Sequence, residues 1–340
     1  MNYDEKAAKK AKRQIIGLSV LCGFLALILA LMIAGTAILD NLVGQMNYVD
    51  PENEQENEVQ PDDVDPDFDG PVIDPGDHTH DTAEDNEIMY DDDIYNLLLV
   101  GQDRRPGQGR QRSDSMILCS FNKKTGEISM VSFLRDTYVY IPGYGSEKLN
   151  AAYAHKGFGC LFETLKVNFG IVVDAGVEVD FSGFEQIIDM LGGVSINITQ
   201  KESDYMKKNW GLDVPAGDNR LNGIQALYYS RIRKLDMDAK RAERQRKVLM
   251  SLIAEYKNKD TGEMLKILRE ILPLITTTMK EDEVVNRALE LFPMLSKTEI
   301  ATQQIPANGT YTDMTVGKVT ATKVADMEVN RQILKELLGY

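Results

Sequence analysis

Apolar and polar positions follow three regimes along the chain. The first is unbroken. Ile15 to Leu39 reads IIGLSVLCGFLALILALMIAGTAIL, a run with no charged side chain. As a helix rising about 1.5 Å per residue it reaches across a hydrocarbon core of ~30 Å, which predicts a transmembrane segment over 15–39. A cleaved signal peptide is the alternative. Its apolar region usually spans about 7–15 residues, so the longer run favours a retained signal anchor.

The second regime, residues 40–93, has no apolar period and is rich in Pro, Asn and Gly. It predicts an extended, disordered linker that buries too little apolar surface to fold. Within it, Asp65, Asp67, Asp69 and Gly70 open like a calcium loop. The twelfth position is Gly76, where a bidentate Glu is required. That stretch, and the histidines of HTH at 78–80, read as solvated spacer.

From Ile94 the texture changes to that of a folded domain. YNLLLVG (95–101), SMILCSF (115–121) and ISMVSFL (128–134) read as strands, the last two joined by the turn NKKTGE. YVYIPG follows. Helical spacing appears at 150–155 and 160–168. AGVEVDF, SGFEQIIDML and GGVSINI (175–198) read as strand, helix, strand in a βαβ order. LNGIQALYYSR (221–231) reads as a helix. So does AKRAERQRKVLMSLIAEYKN (239–258), with Val248, Leu249, Leu252 and Ile253 on one side. Further helices fit 262–273 and 282–296. TEIATQQIP and GKVTATKV read as strands and EVNRQILKELL as a closing helix. No internal repeat is visible. The pattern predicts an α/β domain over 94–340, a three-layer α-β-α sandwich around a central mixed sheet.

Charge changes how the ends are placed. The formal net charge is −15, yet residues 40–93 carry twenty Asp and Glu and no Lys or Arg. Residues 94–340 carry 33 bases and 31 acids, so the domain itself is close to neutral. The basic tail KAAKKAKR lies within residues 1–14, and no Lys or Arg follows the apolar run until Arg104. The positive-inside rule then puts the N-terminus in the cytoplasm and the domain outside, at the surface of a single-pass membrane protein. An outside domain with so little excess positive charge is a poor nucleic-acid binder. The cysteines are Cys22, Cys119 and Cys160. No CxxC pair suggests zinc. Cys119 and Cys160 either pair in an oxidising space or stay buried and free.

The chemistry is marked first by absences. No GxSxG, GxxxxGK[ST] or HExxH occurs, and His155 has no nucleophile motif near it. What recurs is arginine beside aspartate at strand ends, where sites in α/β folds cluster. Asp103 follows the first strand. Arg112 and Asp114 open the second. Arg135 and Asp136 end the third. Lys148 and Asn150 open a helix, Arg231 and Arg233 end another, and Arg241 and Gln245 share a helix face at i and i+4. Arginine suits bidentate contact with phosphate oxygens. Two carboxylates among arginines suit magnesium, which also takes substrate phosphates. Taken singly, each Arg–Asp pair also reads as a surface ion pair. Of the loop arginines, Arg112 beside Asp114 is the phosphate candidate, and Arg104, Arg105 and Arg110 are expected to form a mobile rim.

These pieces, LLLVGQD, RSDSMIL, VSFLRDTYVYIP, KLNAAYAHKG, VDFSGFEQIIDMLGGVSINI, LNGIQALYYSRIR and KRAERQRKVL, stand in the order of the LytR-CpsA-Psr family of cell-envelope proteins, which the chain resembles over about residues 95–254. The resemblance implies a magnesium-dependent phosphotransferase, with possible pyrophosphatase side activity. It would move an anionic glycopolymer, a teichoic acid or capsular-type polysaccharide, from a polyprenyl diphosphate to peptidoglycan and release polyprenyl phosphate. By position, Asp103 and Asp114 match the metal-associated aspartates. Arg112, Arg135, Lys148, Arg231, Arg233, Arg241 and Gln245 match the diphosphate-binding residues. Asp103, Asp114 and Arg135 are the catalytic candidates. The chain departs from the family pattern at Ala239–Lys240 and at Arg246, near Asp236 and Asp238. The alternative function is a non-catalytic extracellular protein that binds wall polymers or regulates.

Overall fold

A computed structural model describes residues 46–57, 72–73 and 87–340, apart from 105–106, 234, 236–237, 258–262, 317–318 and scattered positions between 264 and 299. The expected membrane span and basic tail, the calcium-like loop and the HTH stretch lie outside the described residues. No helix among the described residues is long and apolar enough to cross a membrane.

The first element is a short strand, β1 (Asn47–Tyr48), and a second, β2, spans Val72–Ile73. The central strands are β3 (Ile94–Gln102), β4 (Ser113–Asn122) and β5 (Ile128–Phe133). They form an antiparallel meander in which Leu98 faces Leu118 and Cys119 faces Met130. Two further strands make a hairpin, β6 (Tyr138–Ile141) and β7 (Gly145–Lys148). Next come helix α1 (Leu149–Phe169), strand β8 (Ala175–Asp180) and helix α2 (Phe181–Met190). After β9 (Val194–Ile198) come helix α3 (Gln200–Trp210), β10 (Gly217–Leu221), helix α4 (Gly223–Ser230) and helix α5 (Asp238–Lys257). The chain ends with β11 (Ile275–Thr277), β12 (Ile300–Ile305), β13 (Tyr311–Val316), β14 (Val319–Val324) and helix α6 (Met327–Leu338).

Seven strands form a mixed sheet in the order β1-β11-β8-β3-β4-β5-β12. Its two-residue period sorts the side chains by face. Leu98, Val100, Met116, Leu118, Val131 and Phe133 pack under α1 and α6. Tyr95, Ile117, Cys119, Phe121, Ile128 and Met130 pack on the other face, with Leu249 and Ile253 of α5. Helices therefore cover both faces, as the pattern predicts. Cys119 lies on one face and Cys160, in α1, on the other, and both are buried free thiols. They do not pair.

Three expectations change. The strand GGVSINI does not return to the sheet. β9 pairs with β10 in a separate two-stranded antiparallel sheet, closed over a second core of Ile188, Val194, Ile196, Met206, Tyr229 and Val248. Alternating burial along β9 fits either sheet, and only pairing decides. Second, β13, which carries no expected strand, pairs with β14 and β2. The two helical stretches expected near 150 and 160 are present within α1, separated by a break at Lys156 and Gly157, where φ at Gly157 is 61°. Third, parts of the expected disordered linker are ordered. β1 pairs with β11, Met89 is buried and bridges to Ile171, and the segment 50–57 straps across α1. The break in α1 frees the Phe158 N–H, which donates to Glu54 Oε2 at 2.6 Å. Asn57 N donates to His155 O at 2.9 Å. Composition missed this because few local contacts hold such a segment. It is held by partners about a hundred residues away.

Helix α5 joins the two cores, with Val248 and Leu252 on the second core and Leu249 and Ile253 on the seven-stranded sheet. A buried ion pair fixes it to α3, Arg244 Nε donating to Glu202 at 2.7 Å. Burial alone raises the Glu202 carboxyl, but Arg244 and the Thr199 cap outweigh it and hold it below the usual range. Removing one partner of such a pair costs about 3–5 kcal/mol, because the other is left buried and unpaired. Arg244 also donates to Ile232 O at 3.2 Å, which holds the loop carrying Arg231 and Arg233.

Candidate active site

The antiparallel meander brings three chain ends to one edge. β3 ends at Gln102 opposite Ser113, the first residue of β4, and Asp103 follows it. The register slips between Gly101 and Gln102, so Asp114 is the extra residue of a bulge between Ser113 and Ser115. Bulges re-aim a side chain and often lie beside active sites. β5 runs antiparallel to β4, so Arg135 and Asp136, just past its end, arrive at the start of β4. The start of α1 is tied to the same place: Leu149 N donates to Thr137 O at 2.8 Å and Asn150 N to Arg135 O at 3.1 Å.

The side chains then interlock. Arg135 pairs with Asp114 in a short contact through Nη1 and with Asp136 at 3.5 Å through Nε. Asp136 also receives Lys148 at 3.3 Å and Arg233 at 3.4 Å. Arg241, buried at the start of α5, pairs with Asp238 one turn earlier. Gln245 Nε2 donates to Asp114 O at 3.4 Å. Arg231 pairs with Asp103 at 3.4 Å and stacks over Phe181 at 4.6 Å. Arg112 donates to Glu147 Oε1 at 2.7 Å and to Asn150 Oδ1 at 3.3 Å. The expected residues thus gather at one end of the sheet. Arg135, Lys148, Arg233, Arg241, Asp114 and Gln245 share one network, and Asp103–Arg231 and Arg112–Glu147 flank it.

Electrostatics within the network are strong. Burial raises the Asp136 carboxyl, but Arg135, Lys148, Arg233 and Arg241 outweigh it and bring it to about 2. Burial opposes the charge on Arg135, yet Asp136, Asp114 and Asp238 hold its pKa above the usual arginine value. Burial, with Arg135 close by, pushes Arg241 down to about 10. Burial, reinforced by Asp136, raises Asp238 above the usual carboxylate range despite Arg241.

Two residues here had no role in the sequence reading. Asp136 was visible only as half of an Arg–Asp pair, yet it is the shared counter-ion of three cations. Glu147 gave no signal, because its partners Arg112 and His155 lie just before a strand and in a helix that only the fold brings together. The expected rim is also different. Arg104 pairs with Glu178 at 3.7 Å and Asp180 at 3.6 Å. Arg110 pairs with Glu54 at 3.2 Å over the ring of Tyr153. Both are anchored rather than mobile, and Arg105 lies outside the described residues.

The donor set bears on magnesium. Among the described residues no group of three or more His, Cys, Asp or Glu is placed to hold a metal. Two carboxylates at a cationic edge fit an ion that completes its shell from water and substrate phosphate, as magnesium usually does.

Comparison with known proteins identifies the family. Residues 72–334 match the model of the LytR_cpsA_psr family. The chain is 32% identical over 256 residues to "Regulatory protein MsrR" of Staphylococcus aureus, covering 74% of this chain and 77% of that one. It is 31% identical over 268 residues to the "Polyisoprenyl-teichoic acid--peptidoglycan teichoic acid transferase TagU" of Oceanobacillus iheyensis, covering 75% and 78%. A solved structure, "LytR-CPS2A-psr family protein YwtF (TagT) with bound octaprenyl pyrophosphate lipid", superposes with a TM-score of 0.58 at 26% identity, over 77% of this chain and 98% of that one. The family match spans most of the chain and the fold agrees with it, so the protein belongs to the LytR-CpsA-Psr family.

Proposed function

We propose that the chain is a phosphotransferase that moves an anionic glycopolymer from a polyprenyl diphosphate to a peptidoglycan hydroxyl. The observation that carries this is the network at the start of β4. Arg135, Arg241, Arg233 and Lys148 converge there on Asp114, Asp136 and Asp238. A diphosphate fits such a cluster because guanidinium groups fixed in place bind phosphate oxygens bidentately. The teichoic acid transferase named among the relatives, and the octaprenyl pyrophosphate bound by TagT, support the same ligand class.

In this reading the acceptor hydroxyl oxygen attacks the phosphorus that bears the glycan. The bond from that phosphorus to the bridging oxygen breaks, and polyprenyl phosphate leaves with the electron pair. Arg135 and Arg241 neutralise the charge spread over the transferred phosphoryl group, where such reactions gain most from positioning and electrostatics. Arg112, Arg231, Arg233 and Lys148 hold the rest of the diphosphate. Gln245 fixes the Asp114 backbone. Asp238, which pairs with Arg241 in the network and whose carboxyl burial raises, takes the hydroxyl proton as general base. Asp103 and Asp114 would hold magnesium, which when bound supplies positive charge to the diphosphate oxygens. The segment 15–39 would anchor the domain outside a Gram-positive-type membrane, beside its lipid-linked substrate.

The test is a purified full chain in detergent with a synthetic polyprenyl-diphosphate glycan, a peptidoglycan acceptor and magnesium. Transfer with release of polyprenyl phosphate is expected, and Arg135→Ala should lower it at least a hundredfold. The relative named Regulatory protein MsrR favours a regulatory reading as the rival. Binding of the glycan with no polyprenyl phosphate released would select that rival.

A further inference from the structure

Glu147 and His155 take no part in the chemistry above, yet both are aimed at a residue that does. The two oxygens of Glu147 are divided. Oε1 accepts from Arg112 Nη2 at 2.7 Å, and Oε2 lies 2.8 Å from His155 Nε2. An ionised carboxylate only accepts, so the imidazole is the donor. The imidazole is fixed in turn. Its ring stacks on Tyr144 with centroids 4.1 Å apart and planes 15° apart, and its backbone carbonyl accepts from Asn57 N. The Asn57 side chain then donates to Arg110 O at 2.8 Å, two residues before Arg112. Arg112 is thereby held at its side chain through Glu147 and near its backbone through Asn57.

We propose that Glu147 and His155 form a positioning pair that sets the Arg112 guanidinium for the diphosphate. This rests on the assignment of Arg112 to phosphate made above. A free arginine side chain carries rotamer entropy that binding would otherwise have to remove. Bonds to Glu147 and Asn150 fix it in advance of the diphosphate. Fold stability does not explain the arrangement. Glu147 is one-third exposed, at 33%, and ion pairs this open contribute little to stability. The β6–β7 hairpin has its own ladder.

The experiment uses the full chain and measures kcat and KM for the polyprenyl-diphosphate glycan, with a melting curve for each variant. Glu147→Ala should lower kcat/KM by about tenfold to a hundredfold, the scale of an ångström misplacement, with the melting temperature nearly unchanged. His155→Phe keeps the stacked ring and loses the donor, and should show a smaller loss in the same direction. His155→Gln, which can still donate to Glu147, should restore activity. In an Arg112→Ala background, Glu147→Ala should have no further effect, since it acts through Arg112. Wild-type kcat/KM in both Glu147→Ala and His155→Phe, or losses from Arg112→Ala and Glu147→Ala that multiply, would overturn the proposal. Should Glu147→Ala fail to fold, Glu147→Gln and His155→Phe decide it by the same criteria. Wild-type activity in Arg112→Ala would instead remove the assignment of Arg112 to phosphate, so the two failures are distinguishable.

Discussion

Replacing Asp136 by Asn tests whether the acids in this network serve as internal counter-ions. Asp136 receives Arg135, Lys148 and Arg233 within 3.5 Å, and the surrounding cations bring its carboxyl from 3.8 to about 2. A pKa unit corresponds to about 1.4 kcal/mol, so the charge on Asp136 stabilises the fold by about 2 kcal/mol at neutral pH. The sign follows from the depressed value. The folded state binds this proton less readily than the unfolded chain. The contribution is therefore complete above the unfolded pKa near 4 and is lost as pH falls through about 2. In a domain somewhat smaller than this one, each kcal/mol shifts Tm by about 2–4 °C, so Asp136→Asn should melt about 4–8 °C lower at pH 7. The gap should narrow as the buffer is taken below about pH 4. Inorganic pyrophosphate should raise the variant's Tm more than the wild type's, because an external anion replaces the missing counter-ion. A variant that melts within 1 °C of wild type at pH 7, or gains no more from pyrophosphate, would refute the counter-ion argument.

Asp238→Asn should lower kcat by about 10²–10⁴-fold and abolish the acid limb of the pH–rate profile. In the wild type that limb should lie above the ordinary carboxylate range, with activity rising as pH climbs through the raised pKa; an unchanged limb in the variant assigns the base elsewhere. Gly159→Ala would place a Cβ 2.1 Å from the Pro51 carbonyl oxygen, so it should release the strap and open residues 46–57 to protease. Gly109→Ala, with 3.7 Å to the Asn57 side chain, should not, and equal protection of both variants would count against the strap. In a Cys22→Ser background, reductant should leave Tm unchanged. Native thiol titration should be slow, because burial pushes Cys119 up to about 12 and Cys160 up to about 11; a Tm that falls with reductant would indicate a disulfide.

The legible parts of the fold are those whose signal is local. The strands β3, β4 and β5 announce themselves as short apolar runs bounded by turn residues, and the helix α5 by a repeat of about 3.6. The turn at Asn122 joins the strands it was expected to join. Pairing over long separations has no local signature. β9 alternates like a sheet strand and goes instead to β10. Residues 46–57 look like spacer until Glu54 meets the broken helix at Phe158. The site divides in the same way. Arg112, Asp114 and Arg135 stand at strand ends, where chemistry is looked for first, and the resemblance supplied the rest. Glu147 stands in a short hairpin with nothing beside it in sequence to explain it. Only the approach of Arg112 from just before β4 and His155 from α1 gives it a role.

The balance of charge at this edge connects stability with function. Four cations meeting at one network would repel each other strongly in a domain whose net charge is almost zero. Asp114, Asp136 and Asp238 offset that repulsion when no substrate is bound. A diphosphate entering the network therefore exchanges partners rather than neutralising bare charge, and its net gain is the difference between phosphate oxygens and carboxylates at the same guanidinium groups. That difference is largest where an acid can give up its arginine at little cost. The Asp103–Arg231 pair, half-exposed on both sides, should yield first. Asp136, held by three cations at once, should keep its partners and act as the fixed floor of the site. On the proposed function, the acids beside these bases hold the cations in place and set how strongly a diphosphate must bind to replace them.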